Sequence, residues 1–193
     1  MKERKRTRLE GYDYSTDNLY FITSCVQDRE SCFGEIVNNL MILNEFGKIA
    51  HNQFVWLQNQ YAYLMVHNFV IMPDHVHAVV EINRNLDFVG NGRDHSVLKN
   101  PNPNPNPNPN PNPNPIQSQK PLKIKSLSEL VGAYKTTVSK QIHLAGKERF
   151  NWQKSFHDRI IRNEMEFGRI INYIDDNPSN WKKEKLNVLL TAI

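Results

Sequence analysis

A chain of 193 residues, 39% hydrophobic and 10% aromatic, is long enough for one domain with a substantial core. Mean hydropathy is −0.62, and no apolar run approaches the ~18 residues that span a bilayer. The charged start "MKERKRTRLEG" lacks the apolar stretch of a signal peptide, so membrane and secreted classes are set aside and a cytoplasmic, nucleoid-associated protein is the expectation. Cys25 and Cys32 form neither a disulfide framework nor a zinc pattern. A net charge of +4 and a pI near 9.0 are compatible with nucleic acid without indicating it.

In chain order, Lys2, Arg4, Lys5, Arg6 and Arg8 form a basic arm within residues 1–10, opposed only by Glu3. "LYFITSCV", Leu19 to Val26, is rich in β-branched and aromatic residues and predicts a first strand. From Glu35 to Gln60, Ile36, Leu40, Leu43, Ile49, Phe54 and Leu57 recur at helical spacing, with Gly47 marking a break. Ala62 to Met72 and "HVHAVVEI" predict an antiparallel strand pair around a Pro73-Asp74 turn.

The run from Pro101 to Pro115 alternates eight prolines with asparagine, which excludes helix and central strand. It reads as a polyproline-II-biased insertion in a loop spanning residues 100–121, reaching up to ~45 Å at ~3.1 Å per residue. Beyond it, "SLSELVGAYKTTVSKQIHLAG" predicts a helix capped by Ser126 or Ser128, with Glu129 in the first turn. The segment "RFNWQKSFHDRIIRNE" interleaves Arg149, Lys154, Arg159 and Arg162 with Phe150, Trp152 and Phe156. Such a mixture suits a single nucleic-acid strand, and equally a charged face over a core. A last helix begins at Glu164 and is expected to stop at Asn177, before Pro178. The order β, α, β, β, long loop, α, α predicts an α+β domain with helices packed on one face of one antiparallel sheet.

The chemistry concentrates in two places. His75 and His77 share a strand face and can converge on one cation, at a cost in desolvation that a purely structural pair would gain nothing from. Two imidazoles completed by oxygen donors suit Mg or Mn with positions left open for a phosphate. On the last helix, Tyr173 and Asn177 are four residues apart and share a face. Tyr173 lies roughly 110° from the centre of the stripe formed by Phe167, Ile170, Ile171 and Ile174, at the edge of the buried face. Residues so placed also fit a boundary tyrosine and a helix terminator. Tyr134 is a second helical tyrosine, but it lacks an amide four residues on.

"IMPDHVHAVV" resembles the histidine–hydrophobic–histidine (HUH) motif of single-strand DNA endonucleases. "GYDYS…YFITSCV", "NWQKSFHDRIIRNE" and "INYIDDNPSNW" resemble segments of the REP-associated tyrosine transposases, within the insertion-sequence single-tyrosine HUH transposases. The ordered set spans about Arg6 to Trp181, apart from the Pro-Asn run. The resemblance implies one ferredoxin-like or RRM-like domain over 1–193, with the histidines on a central strand. It implies His75, His77 and Asn177 as ligands of a divalent metal (Mg or Mn) and Tyr173 as the nucleophile. The expected activity is cleavage and transfer of single-stranded DNA at hairpin-forming palindromes, through a 5′-phosphotyrosine. Arg4, Lys5, Arg6, Arg8, Trp152, Gln153, Arg159 and Arg162 are the candidate DNA contacts, with His157 unassigned. A homodimer would set one chain's tyrosine against its partner's histidines, whereas a monomer would use its own. Two other readings are a non-catalytic RRM-like single-strand binder and a metal-dependent hydrolase using an activated water.

Overall fold

The computed structural model describes residues 9, 11–85 and 124–190, with the backbone alone from 182 onward. The basic arm at Arg4, Lys5, Arg6 and Arg8 and the Pro-Asn loop lie outside the described residues. Strand β1 (Asn18–Cys25) is followed by a short 3-10 turn, then β2 (Gly34–Val37), β3 (Leu40–Leu43) and helix α1 (Glu45–Gln60). Next come β4 (Leu64–Ile71), β5 (His75–Ile82), α2 (Leu127–Leu144), β6 (His157–Ile161) and α3 (Glu164–Leu190).

The main sheet has the order β4-β5-β1-β6, every neighbouring pair antiparallel. With the small β2-β3 hairpin set aside, the chain runs β-α-β-β-α-β, and the first and third of these strands lie at the centre. That is the ferredoxin-like arrangement, with the histidine strand β5 in the interior of the sheet. Residues alternate between its two faces. On one face Val76, Ala78 and Val80 of β5 and Tyr20 and Ile22 of β1 are buried together with Ala50, Phe54 and Leu57 of α1 and Leu130, Tyr134 and Val138 of α2. Phe54 stacks on Tyr134 at 4.0 Å and tilts against Phe69 of β4 at 4.7 Å. Tyr134 is 1% exposed, donates its hydroxyl to the Ala50 carbonyl, and its pKa is pushed well above the ordinary phenol value by burial. It is a core residue.

The other face is covered by α3. Val79, Ile161 and Ile174 form its centre, with Phe21, Val70, Phe167, Ile170 and Ile171 packed around them. Helices therefore cover both faces, not the one face expected: α1 and α2 lie on one, and the apolar stripe of α3 covers the face that carries the histidines. Glu166 fixes the start of α3 by accepting from the Arg162 N–H at 2.9 Å and pairing with Arg159. Asn68 of β4 donates to Asp175 at 2.8 Å and fixes the middle.

Three further expectations are corrected. The first half of the helix expected over Glu35 to Gln60 is the hairpin β2-β3, turning at Asn38 and Asn39 with φ of 50° and 64°. Two positive φ values across a two-residue loop are a type I′ requirement, and asparagine tolerates it better than most residues. Gly47 is not a break but lies in the first turn of α1, where Asn44 caps its N–H at 3.0 Å. A Cβ there would come within 2.1 Å of the Phe33 carbonyl oxygen, so glycine permits the close approach. Third, α3 continues through Pro178. Proline forfeits one hydrogen bond, and the burial of Ile174 and Trp181 on either side offsets that loss. The expected cap of α2 is Ser126, which forms a capping box with Glu129.

Candidate active site

β5 follows a tight turn at Pro73-Asp74 and places His75 and His77 on the α3 face, 2% and 5% exposed. Each imidazole is oriented through Nδ1. His75 Nδ1 lies 2.6 Å from the buried Asp74 carboxylate, and His77 Nδ1 lies 2.7 Å from the hydroxyl of Thr23, its register partner on β1. A carboxylate can only accept, so His75 donates to it from Nδ1. The two Nε2 atoms face each other at 3.0 Å. Burial, then the His75 and Arg29 charges, hold His77 well below the ordinary histidine range, so it is neutral. Ring nitrogens this close need a proton on one of them or a cation between them. Adjacent nitrogens of an octahedral cation with bonds of about 2.1 Å are about 3.0 Å apart, so the pair fits a divalent ion.

Helix α3 carries Tyr173, Asn177 and Trp181 on successive turns, and the first and last of these reach the histidine pair. The Tyr173 hydroxyl is 3.4 Å from His77 Nε2, and its ring stands edge-on to both His77 and Phe21. Trp181 lies 5.8 Å from the His75 ring. Asn177, between them, is 1% exposed, and neither its amide nitrogen nor its oxygen has a hydrogen-bond partner among the described residues. A buried amide with nothing to bond is costly and calls for an explanation. A carboxamide oxygen is a fitting third donor for a hard cation, whereas no group of three His, Cys, Asp or Glu side chains among the described residues is arranged to hold a metal.

No family model matches the chain. An uncharacterized protein of Haemophilus influenzae is 27% identical over 187 residues, covering 96% of this chain and 93% of that protein. The structure of a REP-associated tyrosine transposase bound to a REP hairpin superposes with a TM-score of 0.50 at 15% identity, over 93% of this chain and 74% of that one. The likeness is one of fold. A second solved structure, from Deinococcus radiodurans, reaches a TM-score of 0.44 at 14% identity over 88% of this chain and 95% of that one.

Around the histidines opens a cleft of about 330 Å³ lined by Thr23, Cys25, Arg29, His75, His77, Gln153, His157 and Tyr173. Of the candidate contacts, Gln153 therefore reaches the histidine cleft. Arg159 and Arg162 line a separate cleft with Tyr14 and Glu166. Trp152 is 8% exposed, its ring packs against Phe33 and Phe150, and it donates Nε1–H to the Lys135 carbonyl. It belongs to the aromatic core, and its edge lines a separate cleft with Lys135 and Lys140. Sequence reasoning missed Thr23, Cys25, Asp74 and Arg29, and left His157 unassigned. Alternation along β1 is a signal that was available, since Phe21, Thr23 and Cys25 share a face. Their apposition to the two histidines of β5 needed the register, which pairs Thr23 with His77 and Cys25 with His75.

Proposed function

We propose that the protein is a single-strand DNA transposase or endonuclease of the tyrosine type, acting at hairpin-forming palindromes. The observation that carries this reading is the approach of the Tyr173 hydroxyl to His77 Nε2, at 3.4 Å across 96 residues of sequence. The fold shared with a REP-associated tyrosine transposase supports it, as does the unpartnered amide of Asn177, on the helical turn between Tyr173 and Trp181.

His75, His77 and Asn177 would hold the divalent cation, Mg or Mn. When bound, that ion supplies positive charge to polarise a scissile phosphate and ease ionisation of a phenol whose ordinary pKa is near 10. Asp74 and Thr23 keep the two imidazoles in the orientation this requires. Phe21 supports the Tyr173 ring from the sheet, leaving its hydroxyl at the cleft. Tyr173 Oη attacks phosphorus, the new O–P bond forms as the P–O3′ bond breaks, and the departing 3′ oxygen takes up a proton. The phosphotyrosine retains the phosphodiester energy, so attack by another 3′ hydroxyl rejoins a strand without ATP. Arg159, Arg162 and the basic arm are the proposed contacts to the duplex stem of the hairpin. Tyr173 meets the histidines of its own chain, so the proposed site is complete in a monomer.

The test is a hairpin oligonucleotide labelled on the 3′ side of the scissile bond, incubated with protein and Mn or Mg and run on a denaturing gel. A protein-linked band is expected for wild type and is expected to vanish in Tyr173→Phe and His77→Ala. Free 5′-phosphate product that survives in Tyr173→Phe would favour the hydrolase reading instead.

A further inference from the structure

The 3-10 turn Gln27–Arg29 places two successive non-glycine residues in the left-handed region, Asp28 at φ 54° and Arg29 at φ 56°. Each costs on the order of 1 kcal/mol, and such outliers collect where a side chain must be aimed. Here the turn brings the Arg29 guanidinium back over the end of β1. Its Nη1 lies 3.0 Å from Cys25 Sγ and 3.6 Å from Asp74 Oδ1, on the lining of the histidine cleft.

Both anchors are weak. A thiol is a poor acceptor, and 3.6 Å is beyond a hydrogen bond. The Asp74 carboxylate is already engaged by His75 at 2.6 Å. The Arg29 side chain is 44% exposed, and its Nε and Nη2 donate to no described residue. A guanidinium directed into a cleft with most of its donor fork open is arranged to receive an oxyanion.

We propose that Arg29 binds the phosphate of the strand in this cleft, its Nε and Nη2 donating to a non-bridging phosphate oxygen from the Cys25 side. That the phosphate belongs to DNA rests on the function proposed above; the anion site itself does not. Negative charge on the non-bridging oxygens grows as the tyrosine attacks, so the contact strengthens toward the transition state. Lysine would restore the charge but not the fork.

Two measurements test this. In the first, metal-free full-length protein is titrated with inorganic phosphate while the Arg Nε–H resonances are followed by NMR, Arg29 being assigned by its loss in Arg29→Lys. A saturable shift of the Arg29 signal is expected, and its absence overturns the proposal. In the second, Arg29→Gln is compared with wild type for Mn affinity and for adduct formation on the hairpin. Unchanged Mn affinity with adduct formation slowed by about 10²–10³-fold is expected. Equal rates overturn the proposal, and so does a fall in Mn affinity that matches the fall in rate, because Arg29 would then act only by positioning Asp74. If wild type forms no adduct on any palindrome while the phosphate shift is present, the transposase reading fails and the anion site stands.

Discussion

Asn177 gives the clearest signal at the scale of single residues. A buried amide with no partner should weaken the metal-free fold by about 1–3 kcal/mol. Asn177→Leu is therefore expected to raise the metal-free protein's stability in urea unfolding, while abolishing the extra stability that Mn confers on wild type. A loss of stability without metal would show that the amide has a structural partner. His77 supplies a pH test. Its folded-state pKa is depressed below 6.5 by burial, so below that pH the unfolded chain binds a proton that the folded chain refuses. Metal-free stability should fall as pH is lowered through 6.5, by up to about 1.4 kcal/mol per pH unit, and the slope should flatten in His77→Gln. A profile identical in both proteins would contradict this.

The histidine strand and the tyrosine helix were legible as elements because each carries its own periodicity. "HVHAVVEI" alternates toward two layers, and Phe167, Ile170, Ile171 and Ile174 mark one helical stripe. The β2-β3 hairpin was not legible as such. Ile36, Leu40 and Leu43 satisfy helical spacing, although in the hairpin Ile36 and Leu43 share one face and Leu40 lies on the other, and only the Asn38-Asn39 pair marks the turn. β6 was read for its charge and aromatics, which hid the alternation that puts His157 and Arg159 on the histidine face and buries Ile161 against α3. Gly47 belongs to this scale too. Gly47→Ala would drive a methyl into the Phe33 carbonyl and is expected to cost about 1–3 kcal/mol, seen as a lower urea midpoint at unchanged m-value. A neutral effect would mean that α1 can shift away from the loop before β2.

For the whole molecule, the architecture brings together groups that the sequence keeps far apart. A ferredoxin-like sheet puts β5 in its interior, and α3 crosses the face that the histidines occupy, so Tyr173 arrives at His77 and Trp181 at His75, with Asn177 on the turn between. The pairing of these two segments was legible from residue types and from the family resemblance. The surrounding shell of Thr23, Asp74, Arg29 and His157 was not, because it depends on strand register and on one left-handed turn. The decisive experiment is to digest the covalent protein–DNA adduct and locate the nucleotide by mass spectrometry. A nucleotide phosphate is expected on Tyr173 and on no other residue. A nucleotide mapped to any other side chain would mean that Tyr173 is not the nucleophile.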